Sequence, residues 1–178
     1  MYPALRMSLE MWRAGRLPAL NLTDTHISHH RCWPWDIDAF IELNHGRALT
    51  LYDLGRIPLA RRVGLVDVLK RKKWGLTMAG AHVRYRRRVR PFEKVEMRSR
   101  GLCWDARFIY IEQSMWKIDG ECASHILYRS AVTGKSGIIP PAEVLAELNM
   151  AETQSPEMPD WVSAWIEAEA TRPWPPNM

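Results

Sequence analysis

The sequence predicts an α+β domain in which one long early helix lies against an antiparallel sheet. Three observations carry this. Apolar residues recur at helical spacing from Ala48 to Leu59, the period changes to two after residue 76, and Asp119-Gly120 sits between two of the resulting strands as a two-residue hairpin signal. One strand, one helix and then four strands in a row make a sheet with its helix on one face, not the alternating units of a parallel sheet.

Each element has its own warrant. Residues 4–16 read as a short amphipathic helix, with Leu5, Leu9 and Trp12 at i, i+4 and i+7 and Arg6, Glu10 and Arg13 off that stripe. Pro18 ends it. Thr25 to Trp33 reads as extended, with Ile27, His29, Arg31 and Trp33 on one face. Asn44 is a good N-cap for the long helix, whose face is Ala48, Leu51, Tyr52, Gly55 and Leu59. Pro58 predicts a kink or a restart there, with a second helical piece from Leu59 to Lys70. In the first period-two stretch Val83, Tyr85 and Val89 alternate with His82, Arg84, Arg86, Arg88 and Arg90, a half-buried strand ending at Pro91. Further strands are expected over Val95–Trp104, Phe108–Ile118 and Cys122–Val132, then short helices at Ala142–Leu148 and Trp161–Ala170. This divides the chain into an N-terminal helix and linker (1–24), a main domain (25–150) and a Trp/Pro-rich extension (151–178) packed on it. Nine Trp in one small chain need an apolar place to go, so the stripe of Leu5, Leu9 and Trp12 and the pair Trp161 and Trp165 are expected to pack on the domain, with a membrane-surface role as the alternative.

Composition narrows the function. With 178 residues the chain suits one domain with a real core. It has no apolar run near the roughly 20 residues of a membrane span, and its N-terminus lacks a secretory apolar core, so a cytoplasmic location is expected. Three scattered cysteines without a C-x-x-C pair read as buried thiols. His26, His29, His30 and Cys32 cluster, but no second cluster completes a four-ligand set, and no metal is assigned. The net charge of +5 points to an acidic or phosphate-bearing partner. Nucleic acid is disfavoured because Tyr85 falls on the side opposite the arginines, away from where a base would stack.

The start of the long helix resembles a family pattern. Hotdog-fold thioesterases of the 4-hydroxybenzoyl-CoA thioesterase-like branch carry D-x-D-x-x-G-H-x-N-N, followed along the helix by Tyr, Glu and Ala-Arg. Here the chain reads Asp36-Ile37-Asp38-Ala39-Phe40-Ile41-Glu42-Leu43-Asn44-His45, then Ala48, Asp53 and Gly55-Arg56. Asp36, Asp38, Asn44 and Arg56 match by identity and Asp53 by charge. Ile41, Glu42, His45 and Ala48 replace Gly, His, Asn and Tyr. Val83 to Glu93 is also similar to the family's second strand and turn, and the resemblance spans residues 25–150.

The resemblance implies a hotdog fold, an antiparallel sheet wrapped around a central helix, and hydrolysis of an acyl-CoA or acyl-carrier-protein thioester. It puts the working carboxylate on Asp38 and a carbonyl-polarising amide near His45, and it builds the cleft from two subunits, as a homodimer or dimer of dimers. Glu42 and Asp53 are rival carboxylates. Coenzyme A enters only as part of the substrate, and Arg84, Arg86, Arg88 and Arg90 are candidates to hold its phosphates. Blander roles stay open for each residue. Asp36 or Asp38 can cap the turn, Asn44 can be an N-cap only, Asp53 can pair with Arg56 on the helix surface, and the arginines can form a solvated face. A non-catalytic acyl-binding or scaffolding protein is the alternative function, followed by a dehydratase using His45 with Glu42 or Asp53.

Overall fold

Helix α2 (His45–Arg62) organises the molecule, preceded by α1 (Ala4–Ala14) and β1 (His26–Arg31) and followed by α3 (Leu65–Lys72). The computed structural model describes residues 2–176. Strands β2 (Gly75–Tyr85), β3 (Lys94–Trp104), β4 (Ile109–Lys117) and β5 (Cys122–Gly134) come next, then β6 (Gly137–Ile139), α4 (Pro141–Glu147) and α5 (Asp160–Ala170). The strands form one antiparallel sheet of order β1-β3-β4-β5-β2, with the short β6, which the sequence pattern did not mark, paired to β5.

The inner face of α2 meets this sheet through Leu51, Tyr52 and Leu54, which are fully buried together with Val95, Met97, Met115 and Ile126. Each such side chain stabilises the fold by about 1.5–3 kcal/mol. The helix sits very close at Gly55, where a Cβ would lie 2.5 Å from Ser99 Oγ and 2.7 Å from Met97 Sδ. A residue without a side chain is required there. Gln113 fills the seam, its Nε2 donating to the Tyr52 carbonyl at 2.9 Å and to Ser99 Oγ at 2.7 Å.

Four expectations need correction. The helix does not restart at Pro58: α2 runs through it to Arg62, and α3 starts at Leu65 rather than Leu59. Proline removes one amide, and the burial of Leu59 and Ala60 in a second apolar cluster holds the turn in place. The real break is Gly64, whose φ of +82° few other residues adopt easily.

Second, α1 lies the other way round from the expected packing. Leu5 is 88% exposed and Trp12 56%, while Glu10 and Ala14 are buried. An ion pair to another element fixes the orientation: Arg6 reaches the buried Asp36 at 3.0 Å, while Arg13 holds the buried Glu10 within α1 at 2.8 Å.

Third, β2 stops at Tyr85, and residues 86–91 leave the sheet. The amides of Arg86 and Arg87 both turn to the Ala123 carbonyl, at 2.8 and 3.0 Å, at the end of β5, so no partner remains for a longer strand. Arg84, Arg86, Arg88 and Arg90 therefore do not share one strand face. Fourth, Tyr85 is 47% exposed rather than buried.

On β1 the polar residues His26, Ser28 and His30 point inward and Ile27 outward. His30 Nε2 and Ser28 Oγ are 2.8 Å apart, and Arg62 Nη1 lies 3.0 Å from His26 Nδ1. Helix α5 covers the outer side of the sheet with Val162 buried among Cys103, Tyr110 and Leu127, and with Trp165 edge-on to Tyr110. Among the described residues no helix is long and apolar enough to cross a membrane.

Candidate active site at the start of the long helix

A tight turn carries the chain into α2. Asp36 is fully buried and receives Arg47 at 2.6 Å, Arg6 at 3.0 Å and the Trp33 amide at 3.1 Å, while its carbonyl accepts the Asn44 amide at 2.9 Å. Two cations and an amide on one buried carboxylate make Asp36 the anchor of the turn, because a buried charge survives only when paired. The Asp38 carboxylate accepts the Phe40 amide at 2.8 Å, and its own amide donates to the Glu42 carbonyl at 2.9 Å. Ile41 takes the positive φ of +59° that closes this turn. That is the position where the family pattern has Gly, the residue most at ease there.

Asn44 is the N-cap, its Oδ1 accepting the Arg47 amide at 3.1 Å. The next two amides, of His45 and Gly46, have no hydrogen-bond partner among the described residues. They are the free donors of a helix start, with the positive end of the dipole behind them.

A cleft of about 330 Å³ opens beside them, lined by Asp38, Glu42, His45 and Ala48 on one side and by Tyr85, Arg86–Val89 and Ser124 on the other. The loop after β2 forms that second wall: the Leu43 amide donates to the Val89 carbonyl at 2.8 Å, and Arg88 Nε meets Glu42 Oε2 at 2.8 Å. The Tyr85 hydroxyl donates to the His45 carbonyl at 3.2 Å.

Asp38, Glu42 and His45 are thus brought together, and Asn44 caps the helix next to them. Asp53 does not line this cleft. It lies two turns along α2, paired with Arg56, whose guanidinium stacks 4.2 Å over the Tyr128 ring. Burial raises the Asp53 carboxyl above its usual range, against the lowering effect of Arg56 and a hydrogen bond from Tyr2. Of the four expected arginines, Arg86 and Arg88 line the cleft, and Arg84 and Arg90 do not. Arg87, between them, lines it too while pairing with Glu121 at 2.8 Å.

Sequence reasoning missed Ser124 and Tyr85 as cleft residues. Ser124 had one visible signal, a hydroxyl at an inward position of β5 among Ile126 and Tyr128, where the pattern asks for an apolar side chain. Among the described residues, no group of three potential metal-ligating side chains is gathered, and His29 faces away from His26 and His30.

Comparison with known proteins agrees with this architecture. Residues 32–166 match the family model of the thioesterase-like superfamily. The chain is 34% identical over 134 residues to a Xenopus laevis protein named THEM6, covering 75% of this chain and 63% of that one. A Drosophila melanogaster THEM6 protein is 29% identical over 160 residues, covering 87% of this chain and 80% of that protein. The chain therefore spans less than two thirds of the length of the Xenopus relative. Among solved structures it is similar to a DHNA-CoA thioesterase of Staphylococcus aureus, with TM-score 0.60, 15% identity and coverage of 82% of this chain and 91% of that one. A second Staphylococcus aureus protein, solved in complex with CoA, gives TM-score 0.61 at 10% identity, covering 81% of this chain and 94% of the other. At such identities the likeness is one of fold.

Proposed function

Because the chain belongs to the thioesterase-like superfamily, we propose that it hydrolyses an acyl thioester of coenzyme A, or of a carrier protein, at the cleft beside the start of α2. The observation that carries this reading is that Asp38 and His45, whose amide is unpartnered at the helix start, line one cleft. Thioester hydrolysis needs a carboxylate to attack or to activate water, and fixed donors where the carbonyl oxygen becomes negative. Helix-start amides supply such donors without reorganising. Glu42 faces the same cleft but is tied to Arg88, which favours Asp38 as the nucleophile or base and Glu42 as the group that holds the loop. The exposed Arg86 and the Arg88 side chain at the cleft mouth suit the phosphates of coenzyme A.

The working unit in this reading is a homodimer or a dimer of dimers. Its support is β2, an edge strand of 11 residues whose second side is unpaired in the single chain, since proteins seldom leave so long an edge bare.

The test is Asp38→Asn against Glu42→Gln on an acyl-CoA substrate, with folding checked by thermal melt. Asp38→Asn is expected to lower kcat by at least about 100-fold with little change in KM. Full kcat in Asp38→Asn with none in Glu42→Gln would transfer the role to Glu42. If wild type releases no thiol from any substrate, the protein is an acyl-binding member of the fold.

A further inference from the structure

One polar pair in the cleft has no place in the chemistry above. The Tyr52 hydroxyl, on the inner face of α2, lies 2.8 Å from Ser124 Oγ on β5, and the two residues are 0% and 5% exposed. Ser124 nevertheless lines the cleft, opposite Ala48, Asp38 and Glu42.

The direction of this hydrogen bond follows from what each hydroxyl can reach. A buried phenol needs an acceptor for its proton, and among the described residues Ser124 Oγ is the partner of Tyr52. Burial also pushes the Tyr52 phenol far above its usual range, so it stays protonated and a donor. Ser124 Oγ is then the acceptor, and its own proton is left to point elsewhere. No second partner meets Ser124 Oγ among the described residues, and the open direction is the cleft. Leaving a donor unused at a nearly buried site costs free energy, so a ligand acceptor is the natural complement.

We propose that the Ser124 hydroxyl, oriented by Tyr52, donates a hydrogen bond to the carbonyl oxygen of the acyl group bound in this cleft. Ser124 touches the substrate, and Tyr52 is a positioning residue acting through it. Taking the acceptor to be an acyl carbonyl rests on the thioester reading. The small side chain of Ala48, where the family pattern carries Tyr, leaves the facing wall open to that carbonyl. In this proposal Ser124 acts as a hydrogen-bond donor and not as a nucleophile.

Two measurements test this, one independent of turnover. In the first, binding of two coenzyme A derivatives is measured by calorimetry: the ketone isostere of butanoyl-CoA, with a methylene in place of the sulfur, and S-butyl-CoA, which lacks the carbonyl. Ser124→Ala should weaken the ketone at least about tenfold and leave the thioether within twofold. Tyr52→Phe should weaken the ketone by a smaller factor with the same selectivity, which a merely structural role would not produce. Equal weakening of both ligands, no weakening of either, or no binding of either by wild type would overturn the proposal. In the second, kcat on butanoyl-CoA should fall about 100-fold in Ser124→Ala, the usual loss for one such donor, in a variant that still melts cooperatively, at a lower midpoint because the buried Tyr52 phenol loses its acceptor. If wild type hydrolyses no thioester but Ser124→Ala still loses the ketone selectively, the hydrolysis reading fails and the donor assignment stands.

Discussion

Asp36→Asn separates architecture from chemistry at this site. The residue matches the first Asp of the family pattern, yet its carboxylate is fully buried and shared by Arg6 and Arg47, whose side chains are themselves 20% and 19% exposed. Neutralising it strands two largely buried guanidinium groups. Removing one partner of a buried ion pair costs about 3–5 kcal/mol. Asn keeps the shape and an oxygen for the Trp33 amide, retaining about 1 kcal/mol of neutral hydrogen bonding. The expected net loss is therefore about 3 kcal/mol. For a chain of this size that is about 6–12 °C in Tm. Urea unfolding with the m-value unchanged is the assay. Arg6→Met combined with Asp36→Asn should cost less than the sum of the single changes, because the two sites share one interaction. A loss below about 1 kcal/mol, or strict additivity, would refute the anchoring role.

Other outcomes follow from the same contacts. Burial lowers the imidazole pKa of His26 to about 4 and of His30 to about 3, so both fold neutral while the unfolded chain takes up protons near 6.5. Stability from this source is complete above about pH 6.5 and falls as pH drops, down to about 4 for His26 and about 3 for His30. The urea midpoint should decline across that window, and His30→Gln should flatten the decline. At the ends of the chain, Val162→Ala should cost about 2 kcal/mol in urea unfolding because Val162, on α5, is fully buried against the sheet. Leu5→Ser, on the exposed stripe of α1, should stay within about 0.5 kcal/mol. At the cleft mouth, Arg86→Ala and Arg88→Ala should raise KM for acyl-CoA while leaving a short thioester without the nucleotide unchanged. Equal effects on both substrates would make these arginines structural.

Much of this was legible in the sequence, and the gaps have physical causes. The buried face of α2 and the β3–β5 hairpins could be read because a single period governs each, and Asn44 could be read as a cap because its side chain serves its own neighbourhood. The arginine-rich strand stops short of the Pro91 end that its pattern predicts. Its alternation continues past Tyr85, but pairing ends with Ser124 on β5, and local pattern does not reveal where a partner runs out. The orientation of α1 is not legible locally, because an amphipathic stripe shows which residues group together, not which group faces the protein. Asp36, about 30 residues further on, settles that through Arg6. The second wall of the cleft escaped for the same reason: Ser124 lies 72 residues from Tyr52 and meets it only once the sheet has formed.

The central claim, thioester hydrolysis at the start of α2, is tested most directly by thiol release from a panel of acyl-CoA substrates, comparing wild type with Asp38→Asn. The account predicts turnover of at least one substrate by wild type and a loss of at least about 100-fold in the variant, with the fold intact. Undiminished thiol release from the folded variant, or none from wild type on any substrate, would contradict it.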